Sequence, residues 1–326
     1  MLRFLIRRVL GALVTLVVVA AVTFFLFFAI PADPARLACG KVCPPETLEL
    51  ARHNLGIDQP LVTQFVSWLA GIVVGRDYPG LGHCPAPCLG YSFVNRAPVF
   101  DTLLDRMPAT ISLTVGAAVI FLIFGVGTGI IAALRQGRPL DKIASVASLV
   151  GASVQIFFVG TLAMYFFVYQ YHVFAQPKYV PITDDPVGWF GGLLLPWIVL
   201  AIIFTANYTR MTRSTMVENL SEDYVRTARA KGMSGRTVVL RFALRGTLTP
   251  IVTIFGVDLG TLIGGAIITE TTFGIQGIGR LSIRAVTYSD LPMLMATVVL
   301  AAAAIVLMNV VVDALYAVID PRVRLS

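Results

Sequence analysis

Six runs of apolar residues, each about long enough to cross a lipid bilayer, decide what this chain can fold into. A membrane-spanning helix needs roughly 20 such residues. The runs are Val9 to Ile30, Met107 to Leu134, Ile143 to about Tyr171, Pro186 to Thr209, Gly246 to Thr269 and Leu291 to Val312. Only the fifth holds a charge, Asp258. Alternation of period two, the mark of a membrane barrel, is absent. The expected fold is all-α and polytopic, with six transmembrane helices. Composition agrees, since 57% of the 326 residues are hydrophobic and 13% are charged. A soluble domain is about a quarter charged, and one of this size could not bury so much apolar surface. A soluble enzyme, a disordered chain and a small secreted disulfide domain are excluded on that ground. The first run follows a basic start at Arg3, Arg7 and Arg8. It is about twice as long as a signal-peptide core, so it reads as a retained helix.

Orientation follows from Lys and Arg. Of the 25 in the chain, 16 fall before Val9, between Arg135 and Lys142, between Arg210 and Arg245, and at Arg322 and Arg324. That distribution makes both termini cytoplasmic and places the chain in the cell membrane. It also accounts for the net charge of +7 without a nucleic-acid partner. The expected organisation is a cytoplasmic start and first helix over residues 1–30, an extracytoplasmic segment over 31–106, a core of five helices over 107–320, and a cytoplasmic tail over 321–326.

The outer segment is too long for a bare loop. Pro45 to Trp68 reads as helices broken at Gly56-Ile57-Asp58-Gln59-Pro60, and Gly75 to Pro98 reads as irregular. All four cysteines lie here, as Cys39-x3-Cys43 and Cys84-x3-Cys88. An outer location permits disulfides, and three pairings are open. Two short clips would constrain little. A bridge between the pairs would close a loop of roughly 50 residues, worth about 4 kcal/mol. The alternative, a metal site helped by His53 and His83, matches zinc spacings poorly. Disulfides are the reading, and no metal site is assigned.

Between the fourth and fifth runs, Ser221 is placed to cap a short helix with Glu222 and Asp223 in its first turn. Gly232 ends that helix through a left-handed conformation. Ser234 then caps a second helix through Thr237, Val238, Val239 and Phe242, and Thr249-Pro250 marks entry to the fifth span. Small Ala228 and Ala230, ringed by Arg226, Arg229 and Lys231 with Tyr224 as an anchor, suit a helix that docks in a partner's groove. Composition by itself favours a basic loop kept for topology, or a helix lying on anionic lipid.

The stretch Gly274-Ile275-Gln276-Gly277-Ile278-Gly279-Arg280 has glycines spaced like a phosphate loop. Arg280 and Leu281 stand where Lys and Ser or Thr are required, and the stretch follows the fifth run, on the outer side. It reads as a re-entrant or capping loop. No nucleophile elbow or zinc-helix motif appears in the membrane part, and the three histidines lie outside or at the outer edge. The chain is expected to catalyse nothing by itself.

Asp223-Tyr224-Val225-Arg226-Thr227-Ala228-Arg229-Ala230-Lys231-Gly232, followed by Arg241-x3-Arg245-x4-Pro250, resembles the coupling-helix (EAA-type) loop of ABC importer permeases. The similarity is to the dipeptide/oligopeptide/nickel family, and to its B-type subunit. Asn54 to Pro60, Pro108-Ala109-Thr110, Glu270-x2-Phe273 with Gly277-Ile278-Gly279, and Asp320-Pro321-Arg322 extend it over nearly the whole chain. The cysteine pairs and the Pro79 to Leu89 insertion are not part of the common pattern. Gln276 stands where Pro is frequent, and Asp258 where the family often has Gln.

The resemblance implies the type I importer permease fold with an enlarged loop after the first helix, and six helices forming half of a peptide pathway. It implies a second homologous permease subunit, an extracytoplasmic peptide-binding protein and two cytoplasmic ATPase subunits. ATP and Mg would reside on those ATPases, with no cofactor on this chain. The ATPases would dock on a coupling segment of about residues 221–245, with Asp223, Tyr224, Arg226, Thr227, Ala228, Arg229, Ala230, Lys231 and Gly232 as the contact residues. A nickel or metal-chelate importer of the same family is the alternative, and an ATP-independent transporter or channel a further one.

Gly256, Gly260 and Gly264 form a small-residue stripe suited to close helix packing. Asp258 points roughly 200° away from it. An ionisable group in a span usually faces a cavity or a partner. Two readings stay open: Asp258 lines the pathway and meets a peptide amine, or it is a hydrogen-bonded structural residue. Gln155 and Asn207 are weaker pathway candidates, and bonding between helices is the plainer reading for each. Glu270 of the family-like stretch joins them.

Overall fold

The computed structural model of the chain describes residues 2–29, 35–36, 44–55, 59–78, 82–92 and 94–319. Cys39, Cys43 and the tail from residue 320 lie outside the described residues, as do residues 56–58 of the expected break. The described segments are mostly helical, with four short strands and an irregular stretch over residues 171–185. We number the helices α1 (Leu2–Ala29), α2 (Pro45–Leu55), α3 (Leu61–Val74), α4 (Val99–Leu134), α5 (Pro139–Ser153), α6 (Ile156–Gln170), α7 (Pro186–Ser221), α8 (Asp223–Ala230), α9 (Gly235–Ile263), α10 (Ile267–Phe273), α11 (Ile278–Tyr288) and α12 (Leu291–Ile319).

Among the described residues, α1, α4, α7, α9 and α12 are each long and apolar enough to cross a membrane. The third apolar run departs from expectation. It is a pair of helices, α5 and α6, bent by 95° rather than one straight span. Val154 and Gln155 are both extended, with ψ 133° each, and this interrupts the helical hydrogen-bond ladder. Ser153 Oγ bonds back to Leu149 O at 2.9 Å just before the break, a pattern that favours bending.

The fourth and fifth spans run further than their apolar stretches. α7 continues through polar residues to Ser221, which therefore lies in the last turn of α7 and donates to Glu218 O at 2.7 Å. Glu222, not Ser221, occupies the N-cap of α8. α9 starts at Gly235 and reaches Ile263 without a break, with a wider π-type turn over Val238–Ala243. Pro250 is inside it rather than at its entry. Ser234 caps α9 as expected, accepting from Thr237 N.

The chain divides into two compact units. The first comprises Met1–Thr110, Gly260–Glu270 and Gln276–Val310. Here Phe24 and Phe28 of α1 pack with Trp68 of α3 and Met295 of α12. The stretch expected to be irregular forms two antiparallel strand pairs, Arg76–Tyr78 with Gly82–Cys84 and Tyr91–Ser92 with Ala97–Pro98. A disulfide joins Cys84 to Cys88 with Cα atoms 5.6 Å apart. This is a short clip, and it removes the pairings that would bridge the two cysteine pairs. Ser92 donates to the Asp290 carboxylate, whose burial pushes its carboxyl above the usual range. Gly260 and Gly264 face Ile305 and Ala301 of α12, the close approach their stripe predicts.

The glycine-rich stretch is a carboxylate-held helix start in this first unit. Glu270 is fully buried. It accepts from Thr110 Oγ1 at 2.8 Å and from Arg280 N–H at 2.9 Å, while Ile278 N–H donates to Thr110 Oγ1 at 2.9 Å. Amides of the kind that would hold phosphate at a helix start are engaged here by the chain's own acid.

The second unit comprises Ile111–Leu259, Thr271–Ile275 and Val311–Ser326. Glycines 116, 125 and 129 of α4 lie against Trp197, Tyr208 and Thr212 of α7. Trp197 Nε1 donates to Ser112 O at 3.0 Å. At the start of α5, Asp141 takes both Arg213 Nε and Nη2, the latter at 2.9 Å, and also accepts from Gly137 N–H. The Asp141 side chain is 5% exposed and that of Arg213 is 30% exposed. Arg213→Leu strands a buried carboxylate. It is expected to lower stability by about 2–3 kcal/mol, since the pair is part-exposed. A fall in the thermal unfolding midpoint in detergent checks this, and adding Asp141→Leu should recover part of it.

Candidate coupling helix and pathway cavity

α8 is eight residues long and amphipathic, and it begins after one extended residue, Glu222 at φ −65°, ψ 148°. Its inner face is Val225 and Ala228, both buried against Val238 with Phe242 beside them. Ala228 is therefore small because its own neighbours are close. The face open to another protein carries Asp223, Tyr224, Arg226, Thr227, Arg229 and Ala230. Arg226 and Asp223 are 3.7 Å apart, both well exposed, and such a pair contributes little.

Gly232 has φ +77° and follows the last turn, with its N–H on Arg229 O at 2.9 Å. Met233 N–H closes the motif on Ala228 O at 3.3 Å. Lys231, just before Gly232, is exposed.

Tyr224 is 44% exposed, yet its hydroxyl donates to Asn219 Oδ1 at 3.0 Å. Partial burial and the nearby Glu222 carboxylate both push its phenol upward. It stays protonated at neutral pH and remains a donor.

In the same unit a cavity of about 630 Å³ lies along α7 and α9. Asp258 and Asn207 both line it, with Tyr208, Arg210, Ser214 and Thr215. Tyr208 Oη donates to Asp258 Oδ2 at 2.9 Å. Phe121 holds Tyr208 in place, with ring centroids 4.9 Å apart. The wall thus offers one carboxylate, one guanidinium, hydroxyls and an amide, on an apolar background of Phe204, Met211 and Ile254.

The four pathway candidates are not brought together. Asp258 and Asn207 meet at the cavity, Gln155 is exposed at the α5–α6 bend, and Glu270 is buried in its own network. Nothing in the sequence pattern singles out Tyr208, Ser214 or Thr215. Arg210 was counted only for orientation. Its place three residues beyond Asn207, one turn along the same helix, is the signal that could have found it. Among the described residues, no three His, Cys, Asp or Glu side chains converge as metal ligands. His83 instead pairs with Asp77 at 2.6 Å.

Apolar spans, a polar cavity along two of them and a short amphipathic helix set off by one extended residue define a polytopic helical transport protein. Residues 1–114 match the family described as binding-protein-dependent transport system membrane component, N-terminal. Residues 125–325 match the binding-protein-dependent transport system inner membrane component. The chain belongs to that family and is a permease subunit of an ABC importer, a multi-pass protein of the inner membrane.

Relatives align over almost their full length. A Brucella abortus protein whose name assigns it to a peptide transport system as permease is 37% identical over 320 residues, covering 98% of both chains. The glutathione transport system permease protein GsiC of Escherichia coli K12 is 37% identical over 324 residues, covering 99% of both. A Sinorhizobium fredii protein named as a peptide ABC transporter permease is 34% identical over 321 residues, 98% of this chain and 99% of its own. Members of this family work in ABC importer complexes with other permease, ATPase and binding-protein components.

A side chain added at position 232 would meet no atom within 4 Å, so its cost there is in the backbone. Gly232→Val should strain the turn by about 1–2 kcal/mol and reduce uptake by roughly fivefold. Gly232→Asn, which tolerates the left-handed region, should keep most of it. Equal uptake by the two variants in vesicles would show that the turn is not required.

Proposed function

We propose that this chain is the translocation subunit of an ATP-driven importer of di- and oligopeptides. In this reading a related permease subunit supplies the other half of the pathway, and two ATPase subunits, carrying ATP and Mg, dock on α8 from the cytoplasm. An extracytoplasmic binding protein delivers the peptide. Both termini are cytoplasmic. The enlarged segment of residues 31–106 is extracytoplasmic and receives that protein.

The observation that carries this reading is the join between an exposed amphipathic α8 and the base of α7 and α9, the two helices that line the cavity. A partner that moves α8 moves the cavity wall. The relatives named for peptide or glutathione transport support the substrate class. The wall suits it chemically, because Asp258 offers a carboxylate to a peptide amine while Asn207 and the hydroxyls offer bonds to peptide groups.

ATPase activity stimulated by peptide-loaded binding protein, in a purified complex containing this chain, tests the reading. Stimulation by peptides is expected. Stimulation by nickel or a metal chelate alone would replace it with the metal reading, and uptake without an ATPase would replace it with a channel. Asp258→Asn should raise the KM for peptides with a free amine by roughly tenfold, the scale of one hydrogen bond to a charged group. N-acetylated peptides should be unaffected. An equal change for both classes would return Asp258 to a structural role.

A further inference from the structure

Asn219 is the point where three elements meet. Its Nδ2 donates to Thr215 O at 2.8 Å, one turn back on α7, and lies 3.3 Å from Thr247 Oγ1 on α9. Its Oδ1 accepts from Tyr224 Oη of α8 at 3.0 Å. Thr247 is fully buried and is itself fixed, since its hydroxyl donates to Ala243 O at 2.9 Å. The amide packs against Gly246, and a Cβ there would collide with it, approaching Asn219 Cγ to 3.0 Å. One side chain therefore ties α8 to the two helices that line the cavity.

We propose that the Tyr224–Asn219–Thr247 contact is the pin through which motion of α8 is passed to the cavity wall, with Asn219 as a positioning residue. Glu222 is the joint between α7 and α8. It is extended and lies between two helices, with its N–H on Asn219 O at 3.4 Å, so a change in its backbone dihedrals would swing α8 relative to α7. The Val225 and Ala228 contact ties α8 to the beginning of α9 only. The Tyr224 bond supplies the second attachment, to α7, and two attachments on different helices convert a pivot into a rigid displacement. This function of Asn219 rests on the reading that an ATPase docks on α8.

The test uses the reconstituted full complex with Asn219→Ala, Tyr224→Phe, the double variant and Asn219→Asp. Measured for each are ATPase subunits retained on purification, ATP hydrolysed and peptide moved. Tyr224→Phe keeps the ring and removes only the hydroxyl. Each single variant is expected to lower peptide moved per ATP by roughly 3- to 10-fold, the scale of one hydrogen bond, with ATPase retention unchanged in Asn219→Ala, whose side chain lies off the docking face. The double variant should be no worse than the worse single, because both remove the same bond. Asn219→Asp keeps an acceptor for Tyr224 but loses the amide donor to Thr247 and Thr215 O, so it should recover only part of the ratio.

An unchanged ratio in Tyr224→Phe overturns the pin, as do additive losses in the double variant. Loss of retained ATPase in Asn219→Ala would also overturn it, since the contact would then shape the docking surface rather than pass motion inward. If the ATPases are absent from the complex of the unmodified chain, the docking reading fails instead.

Discussion

A single extended residue, Glu222, separates a 36-residue helix from an eight-residue one, and the side-chain contacts that join them reach across it. These contacts have an apolar part and a polar part. Val225 and Ala228 are buried on Val238, and the Tyr224 hydroxyl reaches back to Asn219. An eight-residue helix is too short to persist alone, so these contacts decide whether α8 exists as a helix at all. Gly232 and the Ser234 cap hold its far end by directing the chain straight into α9.

The cavity depends on the same two helices. α7 carries Asn207, Tyr208 and Arg210 along its wall, and α9 carries Ile254 and Asp258. α7 is fixed along its length by the glycine-lined face of α4 and by the Asp141–Arg213 pair at the start of α5. Those contacts are tight and specific, which suits a wall that moves as a body rather than by bending. Glu270, by contrast, holds the start of α11 and spends its charge on backbone amides and Thr110.

Much of this was legible in the residues, and the reasons for the rest are physical. Uncharged runs identified the spans because lipid imposes a length and a polarity on each. Gly232 and Ser234 were legible because turn and cap chemistry is local. The bend at Val154 and Gln155 was not, since neither residue is a breaker and the apolar run continues through it. The strand pairs at Arg76–Cys84 and Tyr91–Pro98 were hidden because each strand is only two or three residues long, too short to show alternation. Ser221 had the right chemistry for a cap, but α7 continues through it. Asn219 carried no signal, because an Asn late in a polar helix is ordinary until Thr247, 28 residues on, is folded against it.

The central claim is that α8 is the surface on which another protein's work enters this chain. An Ala230→Cys variant, which places a thiol on the exposed face of α8, tests it most directly by cross-linking in native membranes. The account predicts a covalent adduct with an ATPase subunit that strengthens or weakens as nucleotide is added, and labelling of the introduced thiol only by reagents that cross the membrane. Adducts with lipid alone, or labelling by an impermeant thiol reagent applied from outside, would contradict it.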